Sequence, residues 1–364
     1  MSNRNLKRRQ SSKAASESEV VVETDTDIQG SNNSTAIKKV PIHLVVDNSK
    51  AKIGIMHYLC MFVWLGWPSF YLALMVTLPL LWLYARPLLW LIVAVLSVSA
   101  IYPIDARKQP KWAMDFGATL MRHAPAYFSL RIYCEDEQAV LKNSPAIFAM
   151  EPHDILPVSI FSFSGILNYF PTHDSRGCLS SACFMLPGMR HIYTWGQAAD
   201  VNRKTIVRNL NKGYSLAMCP GGAHEVCYMT DNKNKECVLY LKKRMGIIKV
   251  AAQHGIAIIP TFTFNQRNAF NFWIPQWRWL HKLGRRMGFI PLMFSGLWGI
   301  PYAMPAPTPL NVVVGAPIVV PKMEGVLTEE LLRPYHNQLI EAMERIFENN
   351  KEQFGMQKVV LKII

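Results

Sequence analysis

From Ile53 to Ala85 the chain carries no Asp, Glu, Lys or Arg, and after Arg86-Pro87 a second uncharged stretch runs from Leu88 to Ile104. Apolar runs of this length are hard to hide inside a soluble core, so they constrain what the rest of the chain can be. One helix over the first stretch alone would be about 50 Å long, against a hydrocarbon core of about 30 Å. The pattern predicts two membrane helices, near 58–83 and 88–104, turning at Tyr84-Ala85-Arg86-Pro87, with Gly66-Trp67-Pro68 kinking the first. Lys50 and Lys52 precede the pair, Arg107, Lys108 and Lys111 follow it, and only Arg86 sits at the turn. The positive-inside bias puts both termini in the cytosol, with the remainder of the chain on that face.

Three regions follow. Residues 1–45 are polar, begin basic (Arg4, Lys7, Arg8, Arg9), turn acidic, and read as a disordered tail. No apolar run follows the basic start closely enough for a secretory signal peptide. Residues 46–104 hold the hairpin, and 105–364 read as one cytosol-facing domain. Over the whole chain, 39 basic and 25 acidic residues give a net charge of +14, a bias toward anionic partners. Ten Trp and thirteen Tyr, without zinc-finger spacing or a basic-aromatic RNA motif, favour a membrane surface over nucleic acid. Seven cysteines without a C-x-x-C pair read as reduced thiols.

Within 105–364, short apolar runs alternate with helical patterns, the signature of an α/β fold. Strands are expected over 127–134, 145–150, 215–219, 256–264 (interrupted by Pro260) and 311–315. An amphipathic stretch is expected over 155–167, and helices over 238–254 and 328–350. Residues 270–305 are rich in Trp, Phe, Met and basic side chains (Trp273, Trp277, Trp279, Arg285, Arg286), a composition suited to an interface with lipid.

The chemistry sits where two strands break off. The run ending at Met150 gives way to Glu151-Pro152-His153-Asp154, and Pro152 cannot continue a central strand, so His153 falls on the turn. Ligands of open α/β sheets bind at such carboxyl ends. A histidine there, with an unperturbed pKa of about 6.5, suits a general base. The run 215–219 likewise breaks into Pro220-Gly221-Gly222-Ala223-His224-Glu225. Two such turns on one edge would let Glu225 orient the His153 base. Asp154 is the poorer partner, because adjacent side chains usually point apart. Backbone N–H groups at Gly221 and Gly222 suit an oxyanion. Arg203, Lys204, Arg208, Arg244 and Lys249 are candidates to hold phosphates.

Other chemistries fail on spacing. His153-Asp154, His173-Asp174 and His224-Glu225 lack H-x-x-x-H, H-E-x-x-H or clustered Cys/His spacing, so no metal is expected. No G-x-S-x-G, G-x-G-x-x-G or P-loop occurs, which argues against a serine hydrolase and against dinucleotide or NTP chemistry.

Taken in order, Glu151-Pro152-His153-Asp154, Pro220-Gly221-Gly222 with Glu225, Arg244-x-Gly246-x-x-Lys249-x-Ala251, then Gly255 and Ile259-Pro260, resemble the type 2 diacylglycerol acyltransferase family. The first motif is closest to the plant-type Glu-Pro-His-Ser pattern, and the likeness runs from about residue 50 to the C-terminus. Asp154 departs from the family's usual Ser or Gly, and Tyr127-Phe128-Ser129 from its usual Tyr-Phe-Pro. The His-x-x-x-x-Asp motif of the wider glycerolipid acyltransferases is incomplete, since Val158 stands five after His153. The resemblance implies a glycerolipid-acyltransferase-like mixed sheet flanked by helices. It further implies acyl transfer from acyl-CoA, as co-substrate, to sn-1,2-diacylglycerol at the endoplasmic reticulum membrane or lipid droplet, with Glu151 and Asp154 near the substrate and no bound cofactor. Monoacylglycerol or a long-chain alcohol remains open as acceptor, as does homo-oligomerisation. A reading of another class, a non-catalytic lipid-droplet scaffold, requires only the hairpin.

Overall fold

A computed structural model describes residues 39–102, 104, 109–229, 235–275, 277, 279 and 292–364. Most of the expected tail, Arg107, Lys108, Arg285 and Arg286 lie outside them. The strands are β1 (His43–Asp47), β2 (Arg131–Cys134), β3 (Ala146–Glu151), β4 (Ser175–Leu179), β5 (Ala199–Asp200), β6 (Ser215–Met218), β7 (Glu236–Leu239), β8 (Ala257–Phe264), β9 (Asn271–Trp273), β10 (Met293–Ser295), β11 (Asn311–Val314) and β12 (Val360–Ile363). The helices are α1 (Ile55–Leu65), α2 (Trp67–Tyr84), α3 (Arg86–Ile101), α4 (Lys111–Tyr127), α5 (Glu137–Lys142), α6 (Met189–Trp195), α7 (Arg203–Leu210), α8 (Ala223–Val226), α9 (Gly246–His254) and α10 (Glu329–Asn350).

Eight strands form one mixed sheet in the order β1-β2-β11-β8-β3-β6-β4-β5. From β8 to β5 every neighbouring pair is parallel, while β11 runs antiparallel to β8. The three central strands β8, β3 and β6 therefore deliver their carboxyl ends to the same edge. Every residue of β3 is buried, as expected of a strand covered on both faces. Alternate β3 side chains feed two cores: Phe148 and Met150 pack with Trp64, Leu120 and Phe161, and Ile147 and Ala149 with Ile248, Leu339 and Phe347. The sequence expectation of a mixed α/β sheet flanked by helices holds.

Several local expectations are corrected. The first apolar stretch is two helices rather than one. Gly66 separates them: a Cβ there would lie 2.4 Å from the Phe62 carbonyl oxygen, and Pro68 in the next turn has no N–H to continue the ladder. Cys60, Met61, Trp64 and Leu65 of α1 enter the core against α4, so part of what reads as lipid-facing sequence is protein-facing. Among the described residues, α2 is the helix long and apolar enough to cross a membrane, and none of its residues is buried. The 16-residue α3 is shorter, with Leu89 buried.

Residues 43–45, assigned to the tail, begin β1, which pairs with β2. The strand expected from Tyr127 starts only at Arg131, because α4 continues through Tyr127. Within the amphipathic stretch expected over 155–167, residues 158–163 form a 3-10 helix that is buried on every side. The helix expected over 238–254 begins at Gly246, its front being the end of β7. Pro260 does not interrupt β8. Its carbonyl accepts from Gly315 N at 2.8 Å, just past the end of β11, so its missing N–H costs only the last rung of that ladder.

Candidate active site

The turns after β3, β6 and β8 meet at the shared sheet edge, and backbone hydrogen bonds to buried side chains lock them together. After β3, Glu151 is wholly buried, Asp154 is nearly so and His153 is half-buried. His153 Nδ1 lies 2.9 Å from the Asp154 carbonyl. A carbonyl only accepts, so Nδ1 carries the proton and Nε2 keeps the lone pair. Asp154 has φ 47°, a left-handed conformation that glycine adopts freely and aspartate tolerates.

Glu225, on the one-turn helix α8 after β6, is wholly buried. Its Oε1 accepts from the His153 backbone N–H at 2.6 Å, and its Oε2 from Tyr240 N at 3.2 Å. The two expected turns thus come together, but Glu225 holds the backbone of the His153 turn rather than the imidazole. Glu151 Oε1 accepts from Gly221 N at 2.8 Å, so that N–H, expected at an oxyanion, is engaged within the protein. Gly221 admits the two carboxyls: a Cβ there would lie 2.5 Å from Glu225 Oε2 and 3.2 Å from Glu151 Oε1.

Three buried carboxyls so close cannot all ionise freely. Burial, then the neighbouring Glu225 charge, holds Glu151 well above the usual carboxylate range. Burial, then Asp154, pushes Glu225 up to about 7. Glu225 accepts from two backbone N–H groups, so Glu151 is the member that keeps the shared proton. Burial also raises Asp154, offset by Arg267. Burial lowers the His153 pKa from its usual 6.5, which keeps the ring neutral.

The third turn, after β8, was not among the sequence candidates. Gln266, 1% exposed, donates to the Pro152 carbonyl at 2.9 Å and accepts from Ser159 N at 2.9 Å. Arg267 Nε lies 3.6 Å from Asp154 Oδ1. The signal was available: the apolar run of β8 breaks into Asn265-Gln266-Arg267 in the manner of the other two. Reading Pro260 as an interruption obscured it. Gln266→Met keeps the volume but loses these hydrogen bonds and the one Gln266 makes to Asp154, and is expected to lower turnover about tenfold at unchanged expression, since a buried polar group left unpaired costs about 1–3 kcal/mol. Steady-state rates against a thermal melt check it: equal loss of melting temperature and rate in a Gln266→Leu control would point to packing alone.

The phosphate candidates disperse. Arg244 stays at the site, donating to the Gly221 carbonyl at 3.4 Å, its guanidinium 5.0 Å from the Tyr240 ring centroid. Arg203, Lys204 and Arg208 are exposed on α7, which follows β5. With β5 three strand positions from β3, that is roughly 14 Å away at the usual strand spacing. Lys249 is exposed on α9. Among the described residues no group of His, Cys, Asp and Glu side chains is arranged to hold a metal ion.

Comparison with known proteins returns the family model described as diacylglycerol acyltransferase, matched over residues 82–364. Diacylglycerol O-acyltransferase 2 of Xenopus tropicalis is 28% identical over 293 residues, covering 74% of this chain and 78% of its own. Acyl-CoA wax alcohol acyltransferase 2 of Mus musculus is 26% identical over 262 residues, 66% of this chain and 75% of its own. The 1-acyl-sn-glycerophosphate acyltransferase of Thermotoga maritima aligns in structure with a TM-score of 0.40 at 13% identity, covering 81% of this chain and 96% of that one. With the family model spanning α3 to the last strand, the chain belongs to the diacylglycerol acyltransferase family.

Proposed function

We propose that the chain transfers a fatty acyl group from acyl-CoA to sn-1,2-diacylglycerol, forming triacylglycerol at the surface of the endoplasmic reticulum membrane. The observation that carries the mechanism is His153 at the carboxyl end of the central strand, with Nδ1 on the Asp154 carbonyl and Nε2 left as a base. Nε2 takes the hydroxyl proton of diacylglycerol as its oxygen attacks the thioester carbonyl carbon. The C–S bond then breaks, and the CoA thiolate leaves with the proton that His153 held. No acyl-enzyme forms, and no metal enters the scheme. The Gly222 N–H remains as the oxyanion donor in this proposal, since Gly221 is engaged with Glu151.

The phosphates of CoA sit at the far end of a long arm from its thioester. Arg203, Lys204 and Arg208 on α7 suit them, while Arg244 stays near the reacting end. The apolar α2 and α3 form the membrane hairpin of the proposal, entering from the cytosolic side so that both flanks face the cytosol. Protease mapping that put residues before and after the hairpin on opposite faces would refute this topology.

Expression in a strain without neutral lipid, followed by lipid extraction, tests the acceptor. Triacylglycerol is the expected product. Wax ester as the main product would move the assignment toward the alcohol acceptors of the wax alcohol relative. Absence of any ester from folded, membrane-bound protein would leave only the scaffold reading.

A further inference from the structure

The described residues of the Trp-rich stretch 270–305, unused by the active site, include an exposed apolar surface. β9 and β10 pair antiparallel, placing Met293 opposite Trp273, and both are exposed. The chain leaving β10 makes a tight turn whose base is held by Gly296 N to Ile300 O, Leu297 N to Met304 O and Tyr302 N to Phe294 O. Leu297 is buried beneath this turn, whereas Trp298 at its tip is 81% exposed, with φ 56°. The fold holds a left-handed conformation here to present a large apolar ring outward. Ile300, on the same turn, is also exposed.

The ring of Trp298 stacks on Tyr58 of α1, centroids 6.4 Å apart. On α1, the residues not packed into the core, Ile55, Met56, Leu59 and Phe62, are more than half exposed. Turn and helix therefore form one contiguous apolar face, and α1 runs through Gly66 into α2, which has no buried residue. A face of that kind, wholly apolar and aromatic, marks a partner rather than bulk water. Tryptophan at its margin is what a headgroup boundary selects.

We propose that the outward face of α1 and the turn after β10 bearing Trp298 seat the catalytic domain on the bilayer, in addition to the anchor supplied by α2. The partner is a lipid surface, with α1 lying along it and Trp298 at headgroup depth. The proposal shares the membrane with the functional reading above but does not depend on the acyl-transfer chemistry. In its consequence, the domain docks flat against the leaflet that dissolves its acceptor instead of swinging on a tether.

Depth-dependent quenching tests it without an activity assay. Wild-type protein and Trp298→Phe are reconstituted in phosphatidylcholine nanodiscs, with and without bromine on the acyl chains near the headgroup. Subtracting the two emission spectra isolates Trp298, since the other nine tryptophans are common to both. The expected result is a difference signal quenched by brominated lipid and protected from aqueous iodide. Quenching by iodide without quenching by bromine would overturn the proposal by placing Trp298 in water. Protection from both would overturn it too, by showing that protein, such as a second copy of the chain, covers the turn. In a second measurement, Trp298→Asp is expected to raise KM several-fold for long-chain diacylglycerol in bilayers and to leave KM for a water-soluble short-chain diacylglycerol unchanged. An equal change for both would assign Trp298 to the site's structure instead of to membrane seating. Loss of all turnover in the wild type would fail the functional reading and leave the quenching result to stand alone.

Discussion

Replacing His153 by alanine is expected to slow acyl transfer by about 10²-fold or more, the usual loss when a general base is removed, while expression and membrane association stay near wild type. The ring is half-buried, and its nitrogen contact is to the carbonyl of the next residue, so its removal leaves the carboxyl network behind the turn unbroken. Glu225 and Gln266 hold the turn through its backbone, at His153 N and Pro152 O, and alanine keeps both groups. The pH profile separates catalysis from structure. Burial holds the imidazole below its usual 6.5, so the neutral ring persists through the neutral range and wild-type kcat/KM should fall only as pH drops below 6.5. The variant's residual rate should lack that acid limb. Rates in purified, detergent-solubilised protein decide it: a variant within a few-fold of wild type would remove His153 from the chemistry.

Much of this site is legible in the sequence for a physical reason. A buried parallel strand reads as an unbroken apolar run, so the change from Met150 to Glu151-Pro152-His153 marks both where the strand ends and which groups stand at its end. Pro220-Gly221-Gly222 reads the same way after β6. That the two turns are neighbours follows from the parallel order β3-β6. Which atoms meet does not follow, because spacing fixes the proximity of Cα atoms and says nothing of whether a carboxylate finds a ring or a backbone N–H. Glu225 found the N–H. The apolar stretch shows the opposite limit. Cys60, Met61, Trp64 and Leu65 look no different in sequence from the exposed Ile55, Leu59 and Phe62, yet they are core, because the sequence does not encode what packs against them. Gln266 was missed for a topological reason: only the sheet order, with β8 beside β3, brings its turn to the same edge.

Glu225→Gln is expected to lower turnover about tenfold or more, and more than Asp154→Ser, although both remove a buried carboxylate beside the histidine. Glu225 accepts two backbone N–H bonds, from His153 at 2.6 Å and Tyr240 at 3.2 Å, one on each oxygen. A glutamine offers one accepting oxygen and an NH2 that only donates, so one of those N–H groups faces a donor. An unmet buried donor costs about 1–3 kcal/mol, roughly one to two decades in rate if it displaces the His153 turn. Asp154 contributes differently. Its side chain meets Arg267, but the atom that fixes His153 Nδ1 is its backbone carbonyl, which serine retains. The pH dependence of stability supplies a control. The Glu225 pKa is raised to about 7, so its contribution to folding is present below the carboxylate's usual 4.5 and is lost as pH rises through about 7. Wild-type melting temperature should therefore fall across that range, and Glu225→Gln should flatten the fall without restoring turnover at any pH. A Glu225→Gln rate equal to wild type below pH 7, where Glu225 is itself protonated, with a loss only above it, would mean that the charge, and not the pair of accepted hydrogen bonds, was its contribution. A greater loss from Asp154→Ser would place the histidine's support in the Asp154–Arg267 pair, and the two-turn construction of the site around Glu225 would fall.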